Sequence, residues 1–337
     1  METTEARRTV TLRDVAEASG VSISTVSRVL DPRSTPTKSA TAARVKRTAE
    51  ELGYRRNLSA AGLRKGSTGT IGVLVPRLSD TVMALMFEAL ERAARARGHF
   101  AVVATGGDDP NDERKAAETL LDRNVDGLIL ASARLDDTLP ASLRERDVPH
   151  ALVLRTDGTS PSALGDDETG GYLAVRHLID LGHRDIAVVT GPDFASTARD
   201  RLAGARRALA EAGLELPAHR VIGRGYRIEH GAEAGNELLG TADRPTAVFA
   251  ANDNLALGII AAAQRARLAI GPDLALVGYN DIPLASLLPV PLTSVRVPFD
   301  QVADSALRML LEPENSERLT RALPTLIPRA SSGAPRR

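Results

Sequence analysis

Short apolar runs alternate with amphipathic stretches over most of this chain. After residue 69 the apolar runs occupy 70–76, 99–103, 127–130, 151–154, 186–190, 247–250 and 274–278. Stretches with apolar residues every three to four positions separate most of them, at 82–97, 112–123, 171–181, 198–212, 229–239 and 254–266. The first pattern is that of buried strands, the second that of helices packed by one face. Their alternation predicts an α/β architecture of parallel sheets covered by helices on both faces. Roughly 260 residues in two such series predict two lobes. Ligands of parallel sheets bind beyond the carboxyl ends of the strands, so a ligand is expected in the cleft between the lobes.

The amino-terminal segment carries a different pattern. Leu12, Val15, Ala16, Val21, Val26, Val29 and Leu30 fall where two short helices, packed around a tight turn at Gly20, would bury them. Ser22 is placed to cap the second helix through its hydroxyl. Ile23, Ser24 and Arg28 then point outward, at the face that DNA-reading helices push into the major groove. Residues 41–52 read as a third helix, with Val45, Ala49 and Leu52 inward and Gly53 as its stop. Lys46, Arg47, Arg55 and Arg56 are candidates for phosphate contact or for a solvated basic face. The stretch 57–65 is too short to hold a helix alone, and Gly62 raises the cost of ordering it. Gly66-Ser67-Thr68-Gly69 marks the domain boundary.

The wording of these segments is more specific than their pattern. Val10-Thr11-Leu12-Arg13-Asp14-Val15-Ala16 and Val21-Ser22-Ile23-Ser24-Thr25-Val26-Ser27-Arg28-Val29-Leu30 resemble the amino termini of the LacI/GalR family of bacterial repressors. The likeness continues through 72–76, 125–129, 177–187, 201–204, 250–258, 277–281 and 291–295, so it runs from about residue 10 to about residue 328. It implies a small all-α helix-turn-helix head over 1–56 and a hinge helix with linker over 57–68. A periplasmic-binding-protein-like body follows over 69–329. Its first lobe would take about 69–168 and 297–325, its second about 169–296 and 326–329, leaving 330–337 as a disordered tail. The resemblance places DNA contacts at Thr11, Ser22, Ile23, Ser24, Thr25, Ser27, Arg28, Tyr54, Asn57, Ala60, Leu63 and Arg64. In the family the hinge helix folds on operator DNA, and a leucine, here Leu63, wedges into the minor groove; such wedges unstack a base step and bend the duplex. The family's long carboxy-terminal leucine heptad has no counterpart here, which favours a homodimer over a tetramer.

Charge supports a nucleic-acid partner independently. The chain is formally neutral, with Lys+Arg 43 and Asp+Glu 43, yet residues 1–68 hold 13 basic and 7 acidic residues, a net of +6 that leaves −6 on the rest. A basic head gathers phosphates and releases counterions; an acidic body limits nonspecific sticking. The chain has no cysteine, which excludes disulfides, thiolate zinc sites and thiol catalysis. No apolar run approaches the ~20 residues of a membrane helix, and residues 1–8 lack the apolar core of a signal peptide. A cytoplasmic protein with no membrane partner is therefore expected. The six histidines show no metal-ligand spacing. The acid pairs Asp108-Asp109, Asp136-Asp137 and Asp166-Asp167 read as turn and capping residues. Nucleotide loops and nucleophile elbows are missing, and Gly223-Arg224-Gly225 lacks the third glycine of a dinucleotide site. No catalytic residue, metal or cofactor is expected.

For the cleft, the resemblance places hydroxyl-binding groups at Arg201, Asn252 and Asn280. It places an aromatic wall at Tyr226 and Phe299, with Phe194 as a further candidate, and first-lobe contributions at Asp80, Val82 and Met86. Forked guanidinium donors and two-sided amides suit a polyol in such a cleft. Two positions depart from the family. Asn280 stands where many sugar binders have Asp, and Arg155 where Asp or Asn is usual. Both make the cleft more positive, and Arg155 with Arg201 is suited to clamp a carboxylate or phosphate. Two alternatives stay open: Arg155 turned to solvent or paired with Asp157, and Tyr226 and Phe299 as core packing. The absence of tryptophan excludes a tryptophan-stacked pyranose. The reading that joins head and cleft is a repressor whose grip on a near-palindromic operator is controlled by a small metabolite. An enzyme with a fused DNA-binding head and a binding protein for uptake are the competing classes.

Overall fold

The computed structural model describes residues 10–30, 39–54 and 67–335. It divides into two compact units, Met1–Thr68 and Gly69–Arg337. The hinge expectations, with Arg55, Arg56, Asn57, Ala60, Gly62, Leu63 and Arg64, lie outside the described residues.

Among its described residues the small unit holds three helices, α1 (Leu12–Ser19), α2 (Ile23–Val29) and α3 (Ala40–Glu51). Thr11 and Asp14 form a capping box at the start of α1, and Gly20 ends it in the left-handed conformation, φ 63°. That conformation carries little penalty in glycine, so the chain reverses there into α2. The Ser22 hydroxyl caps α2 by accepting from the Thr25 amide at 3.2 Å. Ser39 caps α3 the same way, from Ala42 at 3.1 Å. Val15, Ala16, Val26, Val45 and Ala49 form the core, with Leu12, Val21, Val29, Leu30 and Tyr54 packed around it. Leu52 departs from expectation: it is 39% exposed. It lies past the last helical residue, where the turn to Gly53, φ 66°, swings it off the buried face.

The large unit contains two six-stranded sheets. The first is built from β1 (Thr70–Val75), β2 (Phe100–Thr105), β3 (Gly127–Leu130), β4 (His150–Val153), β5 (Ser162–Gly165) and β11 (Leu319–Ala322), in the order β11-β5-β4-β3-β1-β2. The second is built from β6 (Ile186–Thr190), β7 (Val221–Gly223), β8 (Ala247–Ala250), β9 (Ala275–Asn280), β10 (Thr293–Arg296) and β12 (Thr325–Ile327), in the order β12-β10-β9-β8-β6-β7. All neighbours are parallel except β10 and β12. The central strands are buried on both faces, which is why they read as unbroken apolar runs. Helices α4 (Thr81–Ala96), α5 (Pro110–Leu121), α6 (Leu139–Glu145) and α11 (Phe299–Leu311) cover the first sheet. Helices α7 (Asp167–Asp180), α8 (Ser196–Glu211), α9 (Ile228–Leu239) and α10 (Asp253–Arg265) cover the second. The chain crosses between lobes after β5, after β10 and after β11, and each strand and helix expected after residue 69 is present within a few residues.

The second lobe is held by helices in backbone contact. A side chain at Gly204 on α8 would overlap the Glu168 carbonyl oxygen, and one at Gly171 on α7 would overlap that of Arg201. We expect Gly204→Ala to destabilise this unit by about 1–3 kcal/mol, because the clash is with backbone, which cannot rotate away. The urea midpoint should fall at unchanged slope. A Gly204→Ala protein as stable as the wild type would show that the helices can part freely.

The expected disordered tail is corrected over 330–335. Ser331 is fully buried. Its hydroxyl donates to the Leu276 carbonyl at 2.7 Å and accepts from the Thr293 amide at 2.8 Å. Nε2 of His177 lies 2.8 Å from the Ser332 hydroxyl, and Nε2 of His183 lies 2.8 Å from the Gly333 carbonyl. The small residues that suggested disorder are what lets this segment lie flat against the second lobe. Among the described residues no helix is long and apolar enough to cross a membrane.

Candidate functional site

On the small unit, α2 presents Ser22, Ile23, Ser24, Ser27 and Arg28 to solvent, while Val26 is fully buried. Ile23 is 41% exposed, an apolar side chain held outward beside hydroxyls. Thr25 is half-buried, its hydroxyl 2.9 Å from that of Ser22. Thr11 is exposed and donates its hydroxyl to Asp14 at 2.8 Å. Tyr54 is half-buried against the head core. The exposed set combines hydroxyls, an apolar group and a guanidinium along the outer face of a short helix, the chemistry that reads base edges in a major groove.

On the large unit the two lobes face each other across a cleft that leaves a cavity of about 40 Å³, smaller than the roughly 300–1,000 Å³ of a ligand-filled site, so the lobes must part to admit a metabolite. Asp80, Val82, Met83, Leu154 and Arg155 line it from the first lobe, and Thr197, Arg201, Tyr226, Asn252 and Asn280 from the second. Asp80 caps α4 just past β1. Arg155 follows β4, Asn252 caps α10 past β8, and Asn280 ends β9. The cavity thus sits beyond the carboxyl ends of parallel strands in both lobes, where loop side chains converge.

Arg201 is buried, and its guanidinium is largely committed to the protein. Nε donates to Asp167 at 2.7 Å and Nη1 to the Ala251 carbonyl at 2.5 Å. The group lies over the Tyr279 ring, 3.7 Å from its centroid. Burial works against its charge, but Asp167 and the tyrosines outweigh burial and hold Arg201 above the ordinary arginine value. Asn252 is also partly committed. Its Oδ1 accepts from the Leu255 amide at 2.8 Å and its Nδ2 donates to the Tyr226 carbonyl at 3.1 Å. One Nδ2 hydrogen is therefore left to face the cavity. The Tyr226 hydroxyl lies 2.8 Å from that of Thr197. Asp253 braces the floor. It accepts from the Ser294 hydroxyl at 2.6 Å and the Ile282 amide at 2.8 Å, and burial pushes its carboxyl up to about 7.

Arg155 does not pair with Asp157. That acid accepts from Arg144 at 2.7 Å and from the Ser160 amide at 2.7 Å. The Arg155 guanidinium instead faces the cavity, 5.2 Å from the centroid of the Tyr226 ring, within cation–π range. Burial lowers its pKa, and Arg201 adds to that effect.

Three sequence-predicted residues are not among the lining. Met86 is fully buried in the core, and Met83, one turn nearer the cavity on α4, takes its place. Phe194 belongs to the contact between lobes: Arg134 lies over its ring at 3.6 Å, and its carbonyl accepts from the Leu135 amide at 2.9 Å. Phe299, the first residue of α11, packs against the core. Asp167 is corrected from a turn residue to the buried partner of Arg201, whereas Asp166 does cap α7. Thr197 was missed, although it lies four residues before Arg201 and so on the same helix face. The lobes also meet where the Thr156 amide donates to the Ser196 hydroxyl at 3.1 Å. Asp108 pairs there with Arg77 of its own lobe and, at 3.0 Å, with Arg227 of the other.

Comparison with known proteins agrees with both halves. Residues 11–57 match the model of bacterial regulatory proteins of the lacI family, and residues 175–332 match that of a periplasmic binding protein-like domain. The Ribose operon repressor of Escherichia coli (strain K12) is 32% identical over 329 residues, covering 96% of this chain and 99% of that protein. The chain belongs to the LacI family. Its members' work is DNA-binding transcriptional regulation under small-molecule control, not catalysis. Among solved structures, the lac repressor dimer bound to operator and the anti-inducer ONPF resembles this LacI-family chain with a TM-score of 0.85 and 28% identity, over 97% of this chain and 100% of that one. The complex of the transcriptional regulator CelR with cellobiose follows at a TM-score of 0.73 and 31% identity, over 96% and 100%.

Proposed function

We propose that this chain acts as a homodimeric repressor in the cytoplasm. It binds a near-palindromic operator through the exposed face of α2, and its affinity is set by a small polyhydroxylated metabolite in the inter-lobe cavity. The sugar, sugar acid or sugar phosphate would meet Asp80, Val82 and Arg155 on one side, and Thr197, Arg201, Tyr226, Asn252 and Asn280 on the other. The observation that carries this reading is a polar cavity shared between two lobes. A ligand there makes contacts only one lobe arrangement can offer, and only such differential contacts shift a conformational balance. The hinge reading of 57–68, with Leu63 as the wedge, belongs to the same proposal. So do DNA contacts by Thr11, Thr25, Tyr54, Asn57, Ala60 and Arg64.

The test begins with duplexes selected from a random pool by the full-length protein, and with a thermal-shift screen of sugars, sugar acids and sugar phosphates. A ligand bound to the folded state alone raises apparent stability. The selected duplexes should be palindromic. The best ligand should then change operator affinity by about 5–150-fold. Asymmetric duplexes would remove the dimer reading, and an operator affinity indifferent to a saturating ligand would remove the control reading.

A further inference from the structure

Among the cavity-lining side chains Arg155 differs in how little of it the protein uses. It makes no side-chain hydrogen bond and no ion pair among the described residues; its one partner is the face of Tyr226. Arg201, the other cation of the cavity, is neutralised by Asp167 at 2.7 Å. The backbone that aims Arg155 is strained. Leu154 has φ 65°, a value disfavoured in any residue with a Cβ, and the Arg155 amide closes back on the Val153 carbonyl at 2.7 Å. That tight three-residue turn, with its central residue at positive φ, is rare. Such strain persists where the surroundings over-determine it, and it collects at ligand sites. The opposite wall repeats the feature: Asn280 has φ 96° and Asp281 φ 53°. Asp281 is anchored by Arg296 and Arg329, each at 2.6 Å. The Asn280 side chain makes no hydrogen bond within the protein among the described residues, so its amide is open to the cavity. Elsewhere among the described residues the non-glycine residues at positive φ are Asn124, Asp147 and Arg267, each just past a helix end.

We infer that the cavity takes a polyol carrying a carboxylate, a sugar acid rather than a neutral sugar, with the carboxylate seated on the Arg155 guanidinium and the hydroxyls on Asn280, Asn252 and Arg201. The inference rests on the cavity being the effector site. A guanidinium matches a carboxylate with two parallel N–H donors, and here its donors are not already taken. The acids in reach do not replace that ligand. Asp80 spends one oxygen on the Val82 amide at 3.0 Å, and Glu113 accepts from Ser132. Burial pushes both carboxyls above their ordinary values, even though Arg155 pulls each the other way. One unpaired cation with Asp80 close by suits a single negative charge better than the near-double charge of a phosphate monoester.

The test uses matched pairs on the full-length protein at fixed ionic strength, read by calorimetry: ribose with ribonate, glucose with gluconate, and galactose with galacturonate. Ribose 5-phosphate and glucose 6-phosphate form a separate arm. At least one acid should bind between about tenfold and a hundredfold more tightly than its neutral partner. Arg155→Gln should erase that preference while lowering the ligand-free melting temperature only slightly, since what the protein loses is the contact with Tyr226 and the attraction to Asp80 and Glu113. Arg155→Lys, which keeps the charge and loses the fork, should restore only part of it. A neutral sugar that binds more tightly than its acid, or a preference that survives Arg155→Gln, overturns the inference and leaves the effector cavity standing. A sugar phosphate that binds more tightly than every carboxylate also overturns it. If no compound of any pair or of the phosphate arm binds, the inference and the effector reading of the cavity both fall.

Discussion

Replacing Arg201 by methionine should destabilise the large unit by about 3–5 kcal/mol, the usual consequence of removing one partner of a buried ion pair. The cost comes less from the lost attraction than from what remains. Asp167 is 6% exposed, and without Arg201 its charge is left in the interior with no cation against it. The Ala251 carbonyl loses its donor as well. Replacing both partners, as Arg201→Met with Asp167→Leu, should recover much of the loss, because an apolar pair of similar volume needs no desolvation of charge. Urea unfolding of the wild type, both single variants and the double variant measures the coupling directly. An Arg201→Met protein within about 1 kcal/mol of wild type would mean that water reaches Asp167 and that the pair is not buried in solution. Ligand response should be lost in both Arg201 variants, including the refolded double variant. That separates the role of Arg201 toward the ligand from its role in the fold.

The two roles of Arg201 also mark where sequence reading stops. Its place in the cavity was legible, because the resemblance aligned it with a hydroxyl-binding position. Its partner was not, since Asp167 lies 34 residues away on another helix. The adjacent Asp166 is the capping residue that both acids seemed to be. The central strands were legible because burial on two faces makes them continuous apolar runs. β5, Ser162–Gly165, was not, being short and composed of small residues. Met83 and Met86 share a helix face, so periodicity cannot tell which of the two meets the cavity; only the placement of α4 against β1 decides it. Two of the three aromatic positions failed because apolar side chains serve packing as readily as a cavity wall: Phe194 sits under Arg134 between the lobes, and Phe299, at the start of α11, packs on the core, while Tyr226 does line the cavity. The tail at 330–335 was read as disordered from composition, which carries no information about His177 and His183 waiting on the second lobe to receive it.

Operator affinity should fall by about three to five powers of ten between roughly 50 and 200 mM salt, as expected for a protein that neutralises six to ten phosphates. The motivation is the uneven charge: 13 basic against 7 acidic residues over 1–68 of a chain that is neutral overall. A dimer brings two such heads to one duplex. Within that total, Arg28 is expected to behave differently from the rest. It lies four residues after Ser24 and so on the same exposed face of α2, the face that also carries Ile23. Arg28→Ala should therefore weaken binding to the selected operator by about 1–3 kcal/mol while leaving random duplex nearly unaffected. Lys46→Ala, exposed on α3, should weaken both alike and reduce the log–log salt slope by about one. Fluorescence anisotropy over a salt series, on operator and on random duplex, resolves the three quantities. A slope near zero for the wild type would remove the electrostatic role of the head. Equal losses on both duplexes for Arg28→Ala would assign Arg28 to a phosphate and leave base reading to Ile23, Ser24 and Ser27.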